Sequence, residues 1–235
     1  MRKGLFEPQT VNFFIKEFQT ASLFVDVGAH HGYFSCLANQ LGVPKIISIE
    51  PDQLNFKFLR KNLKRNSYIK NSKLINMAVG ETRGELKIFG FGTGVSFRQT
   101  WGGNVSKRSS LVMMDSLDSL LFSEIPLDKA MVKIDVEGFE LMVIKGAMNA
   151  IRSAKDSIFF VEISLLVDQN ESSSKQAAPG ISEIISVFSS AGYSMFRVAD
   201  VGSNLILLSD EELESLSRNL QNHGGCNFVF KRVNQ

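Results

Sequence analysis

Residues 24–35 read FVDVGAHHGYFS and combine a β-prone run, two glycines and the start of a helical pattern. A β-prone run ends at Val27, glycines follow at Gly28 and Gly32, and a helical pattern begins at Tyr33. The order predicts a strand, a tight turn and a helix, in which the glycines let the backbone approach a ligand closely. The free N–H groups at the start of such a helix favour an anionic group, so a carboxylate or a phosphate would fit equally well.

Outward from this stretch, short β-rich runs alternate with helical patterns. Such alternation predicts an α/β fold with a mostly parallel sheet and helices on both faces. The last two strands lack an obvious crossover helix apart from the short acidic stretch 211–220, so we expect them to pair antiparallel at the sheet edge. The predicted strands are 23–27, 46–50, 74–79, 85–89, 131–136, 158–163, 194–198 and 227–231. The predicted helices start at residue 33 or span 55–66, 117–122, 139–151 and 181–191.

A second stretch, MVKIDVEG at residues 131–138, carries charges through an apolar, β-prone run. Valine and isoleucine at alternate positions suit a strand that is buried on both faces, whereas Lys133, Asp135 and Glu137 fall between them. Unpaired charges are almost never left in a core, so the three must be solvated in a cleft, paired with one another or engaged with a ligand. The end of this strand is a candidate wall of an active site.

Two further strand ends carry groups suited to a nucleotide. Glu50, followed by Pro51, lies where a carboxylate accepts hydrogen bonds from ribose hydroxyls in α/β proteins. The third strand ends at Asn76, Met77 and Ala78, whose apolar surface and backbone groups could flank an adenine. Turn glycines and a helix-capping acid would explain each feature alone. Their recurrence at successive strand ends indicates one shared crevice, because ligands of open α/β sheets bind outside the carboxyl ends of the strands.

The glycine spacing separates two kinds of nucleotide cofactor. A dinucleotide fingerprint has the pattern G-x-G-x-x-G, whereas this chain has G-x-x-x-G preceded by Asp26. This departure counts against NAD.

Composition excludes several classes of protein. Hydrophobic residues make up 44% and charged residues 21%, as in an ordinary globular protein. The net charge of +2 is too small to indicate a nucleic-acid partner, and the basic stretch 57–65 is interpreted as a solvated helix face. Cys36 and Cys226 show no metal-ligand spacing, which favours a reducing compartment. No stretch approaches the roughly 20 apolar residues of a membrane span, so a cytoplasmic protein without a membrane partner is expected.

The chain is expected to form a single domain over residues 1–235, with an N-terminal helical segment at 1–20. Two segments, 90–110 and 168–180, have the composition of long loops, which in compact domains are often functional. The first is expected on the substrate side, because it holds the only tryptophan, Trp101, and several cations. If those cations face inward, an anionic or polyhydroxylated substrate is expected. They are Arg98, Lys107 and Arg108.

At these motifs the chain resembles the FkbM family of S-adenosylmethionine-dependent methyltransferases. The matching segments are DVGAHHGYFS from Asp26, IEPD from Ile49, NMAVG from Asn76, SLD from Ser116, KIDVEGFE from Lys133, KGA from Lys145, VEI from Val161, AGY from Ala191 and FEP from Phe6. The resemblance covers nearly the whole chain. It implies a class I methyltransferase-like Rossmann fold, with a mostly parallel seven-stranded sheet, an antiparallel edge strand and helices on both faces.

The resemblance implies methyl transfer from S-adenosylmethionine to an oxygen of a small-molecule, sugar, glycan or secondary-metabolite acceptor, with S-adenosylhomocysteine as product. Asp135 is the first candidate for contacting the amino-acid end of the cofactor or the acceptor. Glu137 and Glu162 are candidate bases, and Lys133 is a candidate orienting group. The candidate cofactor-binding residues are Asp26, Gly28, Ala29, His30, Gly32, Phe34, Glu50, Pro51, Asn76, Met77, Ala78 and Asp135.

The chain departs from the family pattern at His30, where the family loop usually has asparagine. Histidine can still donate one hydrogen bond, so a substituted cofactor contact is one interpretation. A pH-dependent or catalytic role is the other, because histidine titrates near neutral pH.

Other chemistries stay open as alternatives. Asp135, Glu137 and Glu140 suit a hard cation, but Glu140 is expected at a helix start, where an acid is favourable without a metal. No metal is therefore predicted. An NAD-type oxidoreductase and a non-catalytic cofactor-binding module remain the alternative functions.

Overall fold

The structure is a computed structural model that describes residues 8–90, 92, 95–97, 100–101, 104–105, 108–163, 180–199, 204–218 and 226–233, with the side chains of 100–101, 104–105, 217–218 and 226 excepted. The predicted loop 168–180, apart from Gly180, lies outside the described residues. The same holds for residues 1–7 of the N-terminal segment and for Arg98 and Lys107.

Eight α-helices are assigned within these residues. They are α1 (Pro8–Glu17), α2 (Tyr33–Gln40), α3 (Gln53–Arg65), α4 (Leu117–Leu120), α5 (Glu140–Lys145), α6 (Met148–Ser153), α7 (Ile181–Ser190) and α8 (Asp210–Arg218). Local capping explains where α3 begins, because the Asp52 carboxylate accepts hydrogen bonds from the N–H groups of Leu54 and Asn55 at 3.1 and 2.8 Å. Asp118 does the same for α6 from a distance, accepting from the N–H groups of Asn149 and Ala150.

Strands in the same residues are β1 (Leu23–Val27), β2 (Lys45–Ile49), β3 (Ser72–Ile75), β4 (Ala78–Gly80), β5 (Gly84–Phe89), β6 (Thr100–Trp101), β7 (Asn104–Val105), β8 (Ser109–Ser116), β9 (Ala130–Ile134), β10 (Ile158–Ile163), β11 (Ser194–Val198), β12 (Leu205–Leu207) and β13 (Cys226–Lys231). The central sheet has the order β12-β11-β13-β10-β9-β1-β2-β3. Its strands from β10 to β3 are parallel neighbours, whereas β13 runs antiparallel between β10 and β11.

The predicted α/β fold, with a mostly parallel sheet and an antiparallel edge, is confirmed. The last two predicted strands, β11 and β13, pair antiparallel as expected. The sheet has eight strands instead of seven, because β12 adds an antiparallel edge strand to β11. At three residues, β12 is too short to give a readable alternation in the sequence.

Helices cover both faces of the sheet. One face packs against α4 to α7 through aliphatic residues such as Val132, Ile144 and Ile184. The other face packs against α1 and α2 through a layer of phenylalanines, and we call this group the phenylalanine layer. Its members are Phe13, Phe14, Phe18, Phe24, Phe34 and Phe160. Among the helices that the structure describes, none combines the length and the apolar character needed to cross a bilayer.

The predicted strand 74–79 is wrong in its extent. The chain forms β3 and β4 as separate strands, and β4 joins a second sheet in the order β4-β8-β5. The break falls at Asn76, whose side-chain amide donates to the carbonyls of Glu50 and Pro51 at 2.8 and 3.0 Å. These side-chain bonds hold the backbone at the point where it leaves the ladder, and strand propensity alone does not predict them.

The predicted helix 139–151 is also divided, into α5 and α6. Gly146 and Ala147 separate the two helices. A Cβ atom at Gly146 would overlap the carbonyl oxygen of Gly80, so the backbones of α5 and β4 meet closely at this point. The predicted helix 117–122 is shorter in the structure, where α4 ends at Leu120. Strand β8, which follows the segment 90–108, was not predicted from the sequence.

Candidate active site

A cleft opens at the carboxyl ends of β1, β2 and β9, where the strand order of the sheet reverses. Its volume is about 390 Å³, within the range of roughly 300–1,000 Å³ that small-molecule sites occupy. Predicted site residues that line it are Asp26, Gly28, Ala29, His30, Phe34, Glu50, Pro51, Met77, Ala78, Lys133, Asp135, Glu137 and Glu162. Gly32 and Asn76 lie outside this lining but contact it indirectly. Gly32 caps α2, and the Asn76 side chain donates to the carbonyls of Glu50 and Pro51.

The glycine turn is shaped by packing as well as by access. Gly28 has a φ of +79°, and a Cβ atom there would overlap the Asp135 carbonyl oxygen. Gly32 has a φ of +81° and caps α2, with the Leu59 side chain filling the space beside it. Both positions therefore favour glycine before any ligand is considered. The close approach of Gly28 to Asp135 joins the turn to the end of β9.

Glu50 is held rigidly at the end of β2. Its Oε1 accepts a hydrogen bond from the N–H of Asp52 at 2.9 Å, and its Oε2 accepts from the N–H of His30 at 2.8 Å. Burial raises the pKa of this carboxyl to about 7, although the two backbone hydrogen bonds act in the opposite direction. The carboxylate is thus preorganised at the predicted ribose position, and it links the glycine turn to the start of α3.

Asp26 lies in the floor of the cleft with 1% of its surface exposed. Its Oδ2 accepts from the Ser35 hydroxyl at 2.6 Å, and Ser35 in turn contacts the Ser48 hydroxyl at 2.7 Å. Burial raises the pKa of Asp26, whereas the nearby Lys133 ammonium opposes the rise. Among the residues that the structure describes, nothing hydrogen-bonds to Asp26 Oδ1. A buried acceptor without a partner is costly, so this atom is a candidate to meet a ligand.

Lys133 and Asp135 form an ion pair in the cleft, with Lys133 Nζ 2.7 Å from Asp135 Oδ2. The Lys133 side chain is 5% exposed and that of Asp135 is 28% exposed, so the carboxylate is the partner that faces the cleft. Burial alone would lower the pKa of Lys133, but Asp135 and Asp26 outweigh it and raise the pKa. The lysine therefore carries its charge and fixes one oxygen of Asp135. Of the three alternatives predicted for the charges of this stretch, pairing with one another is the one that Lys133 and Asp135 adopt.

Glu137 and Glu162 reach the cleft from different elements. Glu137 follows β9 with a φ of +52°, in a turn where the chain leaves the sheet. Glu162 belongs to β10 and contributes to the field that acts on Lys133. Both candidate bases therefore line the same cleft as Asp135.

His30 and His31 stack with their ring centroids 3.9 Å apart. Burial lowers the pKa of His30, and the neighbouring His31 adds to the effect. His30 Nε2 is buried and has no hydrogen-bond partner within the described part of the chain. A neutral imidazole with one unused nitrogen is what a substituted cofactor contact requires.

Glu140 begins α5, as the sequence predicts, and its Oε1 accepts from the N–H of Gly138 at 2.7 Å. Burial raises the pKa of this carboxyl to about 7. Within the described ranges, no group of three or more His, Cys, Asp or Glu residues could hold a metal ion.

Several lining residues were not predicted from the sequence. Asn55 comes from α3, Tyr33 from α2, Ser96 and Phe97 from the segment after β5, and Phe139 from the turn before α5. Tyr33 and Phe139 lie within the motif segments that begin at Asp26 and Lys133, and this position was the available signal for them. Asn55, Ser96 and Phe97 lie outside the motif segments, and contacts between distant parts of the chain bring them to the cleft. Arg108 is outside the cleft lining, and the backbone of Trp101 belongs to β6.

The sequence model of the methyltransferase FkbM domain matches residues 26–195 of the chain. No curated protein matches the sequence.

Solved structures match the fold at low sequence identity. Methyltransferase FkbM from Methylobacillus flagellatus KT has a TM-score of 0.52 and 17% identity, covering 90% of this chain and 44% of that one, so this chain spans less than half of that protein. The O-methyltransferase from Bacillus cereus, solved with S-adenosylhomocysteine, has a TM-score of 0.54 and 12% identity, covering 99% and 84%. TomG from Streptomyces achromogenes, an O-methyltransferase solved with S-adenosylmethionine, has a TM-score of 0.54 and 9% identity, covering 99% and 82%. These likenesses identify a class I methyltransferase fold.

Proposed function

Because the chain belongs to the FkbM methyltransferase family, we propose that it transfers a methyl group from S-adenosylmethionine to a hydroxyl oxygen of a small-molecule acceptor such as a sugar, a glycan or a secondary metabolite. The observation that carries the proposal is the geometry of Glu50. Two backbone N–H groups aim its carboxylate into the cleft beside the glycine turn, where ribose hydroxyls would be its donors.

The residues present fit the proposed cofactor. Glu50 and Pro51 suit the ribose and the edge of the base, and Met77 and Ala78 offer the apolar surface that an adenine requires. Asp26 Oδ1, buried and without a partner in the described contacts, suits a donor at the amino-acid end of the cofactor. The glycine spacing continues to count against NAD.

S-adenosylmethionine would supply an electrophilic methyl group on a positively charged sulfur. The acceptor hydroxyl oxygen would form the new bond to this carbon as the bond to sulfur breaks, and the hydroxyl proton must leave to a base. Glu137 and Glu162 are the candidate bases, since both line the cleft. Asp135, whose Oδ2 is held by Lys133, is the first candidate to contact the acceptor or the amino-acid end of the cofactor. Alignment of acceptor and methyl group supplies the rest of the acceleration.

The two neighbouring O-methyltransferase structures support oxygen as the acceptor atom, and the carboxylates around Asp135 are consistent with a hydroxyl that needs a base. The acceptor is proposed as a small molecule or glycan without a nucleic-acid or membrane partner. The near-balanced charge of the chain supports this choice.

Calorimetric titration with S-adenosylhomocysteine tests the proposal, with NADH titrated in parallel. We expect micromolar binding of the first ligand alone. Glu50→Ala should weaken it by at least about tenfold, because each hydrogen bond to a charged group contributes roughly 1.5–3 kcal/mol. The exposed Glu85 lies outside the cleft lining, so Glu85→Ala is the matched control and should bind normally. Binding of NADH without S-adenosylhomocysteine would favour the oxidoreductase alternative.

Transfer is tested separately with methyl-labelled S-adenosylmethionine and a panel of sugars and hydroxylated small molecules. Label on any acceptor excludes the non-catalytic cofactor-binding module. Label on nitrogen or carbon acceptors alone contradicts the proposal that oxygen is the methylated atom.

A further inference from the structure

Four described residues after β5 line the cleft and contact three other elements around it. We call these residues, Gly92 and Val95 to Phe97, the cleft strap. The strap is anchored to β5, because Ser96 and Phe89 exchange two backbone hydrogen bonds at 2.7 and 2.9 Å. It is therefore an ordered part of the cleft wall.

The strap is joined to the ribose side of the cleft by Asn55. The Asn55 side-chain amide donates to the carbonyl oxygen of Gly92 at 2.9 Å. Asn55 is 1% exposed and lies in the first turn of α3, directly after Glu50 and its neighbours. This hydrogen bond places the strap against the carboxylate that is proposed to hold the ribose.

The opposite side of the strap contacts the turn after β9. The Ser96 hydroxyl donates to the carbonyl oxygen of Glu137 at 3.2 Å. The Phe97 ring packs on the Phe139 ring with 4.8 Å between their centroids. The strap thus bridges α3, β5 and the β9 turn.

The lining residues differ in chemistry according to the element that carries them. Those from the strap, from β4 and β5 and from the turns before β4 and α5 are uncharged apolar side chains, which suit a flat, neutral base. These are Met77, Val79, Leu86, Ile88, Val95 and Phe139. The residues at the ends of β9 and β10 and at the start of α2 include the charged Lys133, Asp135 and Glu162 together with Tyr33 and Phe34. A nucleoside therefore suits the apolar residues next to the strap, and the acceptor suits the charged ones.

We propose that the cleft strap is the outer wall of the nucleoside site, with Asn55 and Phe97 as the residues that determine how firmly the nucleoside is held. Asn55 can do this with both ends of its amide. Its nitrogen holds Gly92, while its oxygen is buried and has no partner among the described residues, so a hydroxyl or amine of the nucleoside can donate to it. The inference rests on the proposed function, since it names new contacts of the same cofactor.

Binding of S-adenosylhomocysteine and of adenosine, the nucleoside alone, tests the inference. Phe97→Ala should raise both dissociation constants by the same factor, about three- to tenfold, because an aromatic pair contributes roughly this much beyond its buried area. Asn55→Ala should raise both by about tenfold through the lost hydrogen bond. Phe97→Tyr, which keeps the ring pair, should restore binding. Phe122→Ala, at an exposed phenylalanine, and Asn66→Ala, at the end of α3, are the matched controls.

The outcomes distinguish a failure of the strap inference from a failure of the proposed function. Normal binding of both ligands by Phe97→Ala and Asn55→Ala overturns the strap inference and leaves the proposed function standing. Weakened S-adenosylhomocysteine binding with unchanged adenosine binding also overturns it, because the strap would then contact the other end of the cofactor. Failure of the unaltered protein to bind S-adenosylhomocysteine removes the proposed function and this inference together.

Hydrogen exchange gives a readout that a merely structural role would not move. We expect S-adenosylhomocysteine to slow exchange at the amides of Phe89 and Ser96, since the strap can no longer open freely above a bound nucleoside. Bound ligand with unchanged exchange in this segment contradicts the proposal.

Discussion

At Glu50 the ligand-free fold and the proposed ligand favour different protonation states of the same carboxyl. Its pKa in the fold, about 7, lies above the ordinary value of 4.5. The protonated form is therefore favoured by the ligand-free fold, and this contribution to stability is complete below about pH 4.5 and is lost as the pH rises through about 7. Ribose hydroxyls that donate to the carboxylate favour its ionised form instead.

Binding of S-adenosylhomocysteine should accordingly lower the pKa of Glu50 and release protons near pH 7. We expect affinity to increase between pH 6 and pH 8 and the observed binding enthalpy near pH 7 to depend on the ionisation enthalpy of the buffer. Calorimetry in two buffers measures this release. Glu50→Gln should abolish it, whereas Glu140→Gln, at another buried carboxyl with a pKa of about 7, should leave it unchanged. Proton release that survives Glu50→Gln would assign it elsewhere.

At the scale of residues, the parts of the site that follow strands could be predicted from the sequence. Asp26, Glu50 and Asp135 stand at or just beyond the ends of parallel strands, and topology alone brings such ends together. Asn55 and Phe97 could not be predicted in the same way. They reach the cleft through a helix face and a covering segment, whose positions depend on contacts between residues far apart in the sequence.

At the scale of elements, the junction between α5 and α6 shows packing overriding propensity. Alanine is a better helix former than glycine by roughly 1 kcal/mol, so the sequence alone favours one continuous helix if Gly146 is replaced. The close approach of Gly146 to the Gly80 carbonyl reverses this expectation. The same contact explains why the sequence predicts the helical region correctly and its division incorrectly.

Gly146→Ala should lower the free energy of unfolding by about 2 kcal/mol or more, because the new methyl group meets backbone that cannot move aside. Urea denaturation followed by circular dichroism measures the change. Gly84→Ala is the control, since a Cβ atom at Gly84 would meet nothing within 4 Å. Equal stability of the two variants would contradict the close packing of α5 against β4.

Some strands could be predicted from the sequence, whereas others depend on tertiary packing. Strands β1, β10 and β11 lie where the β-rich runs indicate, because most of their residues are aliphatic or aromatic. β8 was missed since its outer face carries the exposed Leu111 and Met113, which obscure any alternation. A second small sheet is a tertiary arrangement that no local pattern specifies.

At the scale of the whole molecule, Arg232 joins the end of the chain to two helices. Its guanidinium donates to the carbonyls of Ala191 after α7, of Ala154 after α6, and of Ile151 and Arg152 within α6. It also lies over the Tyr193 ring, 4.7 Å from the centroid. One side chain therefore satisfies helix-end carbonyls from two separate helices next to β13.

Arg232→Ala should lower the free energy of unfolding by about 1–3 kcal/mol, because several part-buried carbonyls lose a charged donor at once. S-adenosylhomocysteine affinity should be unchanged, since Arg232 is outside the cleft lining. Thermal and urea unfolding measure the first effect, and calorimetry measures the second. The neighbouring exposed Lys231 provides the control in Lys231→Ala. A loss no larger than that of the control would show that the carbonyls are satisfied by water instead.

The phenylalanine layer beneath α1 has an electrical consequence for the cleft. Phe14 packs on Phe34 at 4.4 Å, and Phe34 lies 5.3 Å below the ammonium of Lys133. Packed aromatic rings screen charges far less than water does, so the layer keeps the dielectric constant beneath the ion pair low. Charges above it therefore interact more strongly than they would next to solvent. Helix α1 makes no predicted contact with a ligand, yet it sets the local permittivity in which the chemistry takes place.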